Sequence, residues 1–220
     1  MCIRDRGSGK PIAWKWLDLG ALSQALAPHD QLGDVRYFTA HVTATGNAPG
    51  PRIRQQTYLR ALATLPQLSV YLGQFQREKK RMPIVANPTP TELAVINQNG
   101  LDVRLHPDGF HTIKVIRTEE KGSDVNLATW LLYDAFHGAC DKALVFSNDT
   151  DLCEPIRLVI AEFGIDVVVV NPRGHLQPAV QLRKVATDTR SVRISAVQAA
   201  QFPVTLTDAN GTFSRPMEWS

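Results

Sequence analysis

Four β-branched residues in succession, Val167-Val168-Val169-Val170, constrain this chain more than any other feature of its 220 residues. An unalternating apolar run of that kind suits a strand covered on both faces, whereas a strand with one wet face alternates. The sequence around it supplies the covering elements. Ala143 to Phe146 is a second short apolar run. Between the two runs, Glu154 to Phe163 carries Ile156, Val159, Ile160 and Phe163 on one helical face, and Gly164 provides the stop. Upstream, Ser123 is placed to cap a helix with Asn126 three residues on. Val125, Ala128, Leu131, Leu132, Ala135 and Phe136 recur at helical spacing, and Gly138 ends the pattern. Helix, strand, helix, strand over Thr118 to Asn171 predicts a β-α-β crossover and hence a parallel sheet in an α/β fold.

Acidic residues cluster on that frame. Asp149 and Asp151 lie in Ser147-Asn148-Asp149-Thr150-Asp151, directly after the Ala143 to Phe146 strand, at the carboxyl edge where open α/β sheets keep their ligands. Asp124 falls in the first turn of the preceding helix, where an acid also complements the helix dipole. Three carboxylates converging on one edge repel unless a cation neutralises them, and hard divalent ions take oxygen ligands. Mg²⁺ or Mn²⁺ is the ion this pattern predicts.

The run Lys121-Gly122-Ser123-Asp124-Val125-Asn126-Leu127-Ala128, followed at the next strand end by Ser147-Asn148-Asp149-Thr150-Asp151-Leu152, resembles the NYN domain family of PIN-like, metal-dependent ribonuclease relatives. The similarity extends through Trp14-Lys15-Trp16-Leu17-Asp18-Leu19, Arg36-Tyr37-Phe38-Thr39-Ala40 and the tail from Phe202 to Trp219. The resemblance implies a Rossmann-like, PIN-type three-layer α/β/α sandwich with a mainly parallel central sheet. It further implies hydrolysis of RNA phosphodiester bonds with Mg²⁺ or Mn²⁺. Its catalytic, metal-holding acids fall on Asp124, Asp149 and Asp151, acting as ligands and not as nucleophiles. Lys121 and Arg157, each near one of these acids in sequence, and Asn148 are the candidate substrate contacts. Family members open with an apolar strand ending in an Asp-Gly-x-Asn-like turn, and residues 1–12 contain no such run. That stretch therefore reads as a truncated or non-native start. Its Gly7-Ser8-Gly9-Lys10 is no phosphate loop, because the upstream glycine and preceding strand are missing.

Charge is unevenly spread along a chain whose net charge is only +3. From Val35 to Arg81, eight basic residues, Arg36, Arg52, Arg54, Arg60, Arg77, Lys79, Lys80 and Arg81, face Glu78 alone. From Thr118 to Glu154, eight acids face Lys121 and Lys142. A basic surface beside an acidic edge suits a phosphodiester substrate, with an ordinary solvated basic helix as the alternative, and the partner the resemblance implies is RNA, single-stranded or structured. No stretch approaches a membrane span, no signal-peptide core is present, and three unpaired cysteines fit reduced thiols, which predicts a cytoplasmic protein with no membrane partner. A homodimer is left open.

The remaining chain reads as one domain over residues 13–200 with a tail over 201–220 packed on it. A helix is expected around Leu19, Leu22 and Leu26, a strand over Val35 to Val42, a turn at Gly46 to Pro51, a helix over Arg52 to Leu65 and a strand over Leu68 to Phe75. Pro83, Pro88 and Pro90 predict an irregular excursion over about 76–112. Further elements are a strand over Ile113 to Ile116, a helix over Gln177 to Ala186 and a turn at Asn210-Gly211. Glu119 and Glu120 read as solvated, and His41, His137 and His175 have no partner spacing. Two other functions stay open on these residues. One is a non-catalytic RNA-binding or regulatory module lacking the first metal-ligand Asp, and the other is an Mg²⁺-dependent phosphatase-like enzyme.

Overall fold

The computed structural model describes residues 14–42, 50–84, 88–173 and 176–219. The stretch through residue 12, most of the Gly46 to Pro51 turn, and His175 lie outside the described residues. The chain divides into two compact units, Gln74–Lys121 and the remainder.

The larger unit is mixed α/β with mainly parallel pairing. Its helices are α1 (Leu19–Leu26), α2 (Gly50–Leu62), α4 (Ser123–Phe136), α5 (Cys153–Phe163), α6 (Val180–Val185) and α7 (Ile194–Ala199). Strands β5 (Lys142–Phe146), β6 (Asp166–Asn171) and β7 (Asp188–Ser191) form a parallel sheet in that order. Separately, β1 (Val35–Ala40) pairs in parallel with the first part of β2 (Leu68–Pro83), from Val35 opposite Leu68 to Ala40 opposite Gly73. The tail carries an antiparallel hairpin, β8 (Thr205–Asp208) and β9 (Gly211–Ser214), which turns at Asn210-Gly211 as its sequence predicts.

The valine run behaves as its composition requires. Val167, Val168, Val169 and Val170 are all buried. Val167 and Val169 join Val145, Ile156, Val159 and Leu182 in a core shared with α4, α5 and α6, whereas Val170 packs with Leu22, Val192 and Val197 in a core shared with α1 and α7. Alternate side chains leave opposite faces of a strand, so one strand nucleates both cores. A third core gathers Trp16, Leu62, Phe202 and Trp219. Trp16 there is fully buried, and its indole Nε1 donates to the Pro203 carbonyl at 2.7 Å, so the tail is fastened to the Trp14 segment by both packing and a hydrogen bond.

Two local expectations are corrected. Ser123 does not cap α4. The cap position is Gly122, held at φ +96°, a left-handed value that favours glycine, and the Asn126 N–H donates to the Gly122 carbonyl at 2.7 Å. Among its described residues the 76–112 excursion is built mainly of regular elements, not irregular chain. In this smaller unit β2 continues to Pro83 and pairs antiparallel with β4 (His111–Lys121), which also pairs with β3 (Val103–Leu105). Pro83 and Pro90 sit where a proline costs little. Pro83 ends a strand, and Pro90 opens α3 (Pro90–Gln98) at its first turn behind a Thr89/Glu92 capping box. Two short elements, β7 and α7, have no sequence signal. Both lack an apolar run long enough to show a period.

Ile156 is fully buried and Val125 is 68% exposed, although helical spacing puts both at core-facing positions. Ile156→Ala is expected to lower unfolding free energy by about 2–5 kcal/mol, whereas Val125→Ala changes it by about 0.5 kcal/mol or less. Urea titration followed by circular dichroism checks both, and equal losses would contradict this assignment of the core.

Candidate functional site

The carboxyl ends of β5, β6 and β7 are in register, with Phe146 opposite Val170 and Asn171 opposite Ser191. The turn leaving β5 therefore stands at the expected sheet edge. Its geometry comes from short side chains bonding to backbone. The Asp149 N–H donates to Ser147 Oγ at 3.1 Å, and Asp149 Oδ1 accepts the Asp151 N–H at 3.0 Å, capping a single 3₁₀ turn over Thr150–Leu152. Leu152 at the end of that turn is buried and anchors it to the core. Asp149 is half-buried and Asp151 is exposed. Both carboxylates act on Cys153, whose thiol is pushed above its ordinary value first by burial and then by the charges of Asp149 and Asp151.

Asn148 Oδ1 accepts the Ala179 N–H at 2.7 Å, which ties the β5 turn to the start of α6. This candidate substrate contact thus has a structural use for its acceptor oxygen. A second asparagine does the same for the next loop: buried Asn171 donates from Nδ2 to the Gln177 carbonyl at 2.8 Å and accepts the Arg173 N–H at 2.9 Å. Arg157 is held by Glu154 through bonds of 2.9 and 2.6 Å one helical turn away. Asp124 lies exposed in the first turn of α4. Lys121 belongs to the smaller unit, at the end of β4, where its Nζ is 3.0 Å from Glu119. Glu119 also pairs with Arg117, so it is not simply solvated.

The donor set has the right chemistry for a hard divalent ion and falls short in number. Among the described residues no three His, Cys, Asp or Glu side chains are grouped to hold a metal, and one oxygen of Asp149 is already used as a cap. The structure brings Asp149 and Asp151 onto one turn and does not gather Asp124 with them as a three-ligand group.

A feature that residue counting missed lies beside β1. Arg36 Nε and Nη2 each donate to Asp134 at 2.6 Å, and its Nη1 donates to the Tyr71 hydroxyl at 2.9 Å. Its guanidinium lies 4.3 Å from the Trp130 ring centroid, over the aromatic face. Arg36, Trp130 and Asp134 line a cavity of about 660 Å³ bounded by β1, β5, α1 and α4, with a second ion pair, Lys142 to Asp30 at 2.7 Å, in its wall. Arg60 is likewise committed, gripping Asp208 at 2.7 and 2.6 Å while lying 4.1 Å from the Phe213 ring centroid. Arg54 pairs with Glu218 and Arg81 with Asp102. Half of the basic run from Val35 to Arg81 is therefore neutralised by partners distant in sequence, which corrects its reading as one basic surface. The aromatic spacing of Tyr71 gave no sign of this, because Asp134 and Trp130 approach only through α4.

No family model matches the chain. A curated protein similar to it, 6-hydroxy-3-succinoylpyridine 3-monooxygenase HspA of Pseudomonas putida, is 27% identical over 191 residues, covering 78% of this chain and 55% of that protein. The chain thus spans about half the length of the curated relative it matches. A crystal structure of a protein of unknown function from Vibrio parahaemolyticus is 14% identical, covers 84% of this chain and 98% of its own, and has a TM-score of 0.29.

The Arg60 clamp generates a pH dependence. Hydrogen bonding to Arg60 pulls the Asp208 carboxyl down to about 2. Because the folded value lies below the ordinary carboxylate value, the clamp's contribution is present above about pH 4 and is lost as pH falls toward about 2. Asp208→Asn is expected to start less stable near pH 6 and to decline less steeply between about pH 4 and 2. Parallel acid-unfolding curves for the two proteins would show that the clamp does not contribute.

Proposed function

We propose that this chain is an RNA-directed module of the NYN type, with a PIN-like three-layer architecture, whose chemistry is Mg²⁺- or Mn²⁺-dependent phosphodiester hydrolysis. The observation that carries this reading is the placement of Asp149 and Asp151 on a capped turn at the carboxyl edge of three in-register parallel strands, the position where α/β sheets bind ligands. Asp149, Asp151 and Asp124 are the oxygen donors the chain offers to such an ion, which supplies an activated water when bound. Three donors are not gathered among the described carboxylates. The part of the chain's own residues is to hold two carboxylates at a fixed edge, with Asn148 and Asn171 pinning the loops on either side.

That shortfall favours a second reading, an RNA-binding module that does not cut. The two are separated by incubating labelled single-stranded RNA with the full chain in Mg²⁺, Mn²⁺ or EDTA. The hydrolytic reading expects metal-dependent cleavage, abolished by EDTA and lowered about 10- to 100-fold or more by Asp149→Asn or Asp151→Asn. Binding without cleavage in every metal condition sinks hydrolysis and leaves the binding module. The name of the Pseudomonas relative adds one control. Hydroxylation of 6-hydroxy-3-succinoylpyridine by this chain, given O₂ and a reductant, would replace the phosphodiester reading.

A further inference from the structure

The smaller unit segregates its charges by face. Directly opposed residues of an antiparallel ladder send their side chains to the same side. Arg77 opposes Thr118, Lys79 opposes Ile116 and Arg81 opposes Lys114, so these four cations share one face of the β2–β4 ladder. Arg104 joins them, since it opposes Thr112. Side-chain contacts agree: Arg81 Nε donates to Thr112 Oγ1 at 3.3 Å, and Arg81 and Arg104 share the Asp102 carboxylate at 3.0 and 2.9 Å. Asp102 is held below its ordinary value first by the Arg104 hydrogen bond and also by the charges of Arg81 and Lys114. Asp102 and Glu120 are the acids on this side, against five cations.

The opposite face is nearer balance, with Lys80, Arg117 and Lys121 against Glu78 and Glu119. Glu78 opposes Arg117, and Glu119 pairs with both Arg117 and Lys121. On the first face Arg77, Lys79 and Lys114 are exposed and form no ion pair among the described residues. Successive cations along β2 are two residues apart, about 7 Å, so the face is a ladder of positive charge suited to a regularly charged, extended polyanion. A membrane surface fits less well. Docking there draws on inserted apolar side chains, and Ile116 is the large exposed hydrophobe this part of the ladder offers.

We propose that this face of the smaller unit binds the phosphate backbone of single-stranded RNA, with Arg77, Lys79 and Lys114 in direct contact and Arg81 and Arg104 positioned through Asp102. The proposal rests on the RNA reading above for its partner and is independent of hydrolysis. It also gives the 74–121 segment a use that its packing does not: none of its described apolar side chains is among the buried core residues.

The test is fluorescence anisotropy of labelled single-stranded RNA with the full chain, in EDTA, across a salt series. The parent chain is expected to show a log-affinity against log-salt slope of about −2 or steeper, the value for three phosphate contacts on a single strand. Arg77→Ala/Lys79→Ala/Lys114→Ala is expected to bind at least about tenfold more weakly at low salt and to flatten the slope by about 2. Lys80→Ala, on the opposite face, keeps parental affinity, and circular dichroism confirms that each variant is folded. RNA binding that ignores the triple substitution, or that falls as much with Lys80→Ala, overturns the surface while leaving the RNA reading in place. A parent chain that binds phosphatidylserine vesicles and not RNA overturns both.

Discussion

The larger unit depends on burying one strand on both sides. β6 places Val167 and Val169 in one core and Val170 in another, so the helices that cover it must come from segments on both sides of it in sequence. At roughly 1.5–3 kcal/mol for each fully buried valine-sized side chain, this short run outweighs any single polar contact in the molecule. The acidic turn after β5 inherits its position from that burial, because β5 is held in register against β6 and Leu152 pins the far end of the turn in the same core.

Ion pairs do a different kind of work. Arg36 with Asp134, and Arg60 with Asp208, join residues 98 and 148 positions apart. Each guanidinium lies over an aromatic ring and is only partly exposed, at 16% and 34% for the side chains. Bidentate geometry and partial desolvation make such pairs more than surface decoration. They also remove these arginines from the pool of charge available to a ligand. What remains available is concentrated on the smaller unit's sheet, where pairing register and not sequence proximity puts Arg77, Lys79 and Lys114 together.

The candidate site shows the same division. The Ser147 to Asp151 turn was legible because a strand run ends at Phe146 and short polar residues follow, each able to bond to backbone close by in sequence. The relation of Asp124 to that turn was not legible. Sequence places it in the first turn of α4, and nothing local says how far that turn lies from the end of β5. Asn148 illustrates the limit most clearly, since its use as an acceptor depends on Ala179, 31 residues away.

Local order was readable wherever it is set by neighbours in the chain. The boundaries of α4, α5, β5 and β6 follow from apolar period and from Gly138 and Gly164, both of which adopt the left-handed backbone that ends a helix. Proline misled at 76–112 because its effect depends on position. The same residue that breaks a strand interior or a helix ends β2 without penalty at Pro83 and starts α3 favourably at Pro90. Folding decided which charges are spent and which are presented, and whether three acids meet. Those outcomes turn on distances between segments far apart in sequence, and hydrophobic burial sets those distances before any charged group finds its partner.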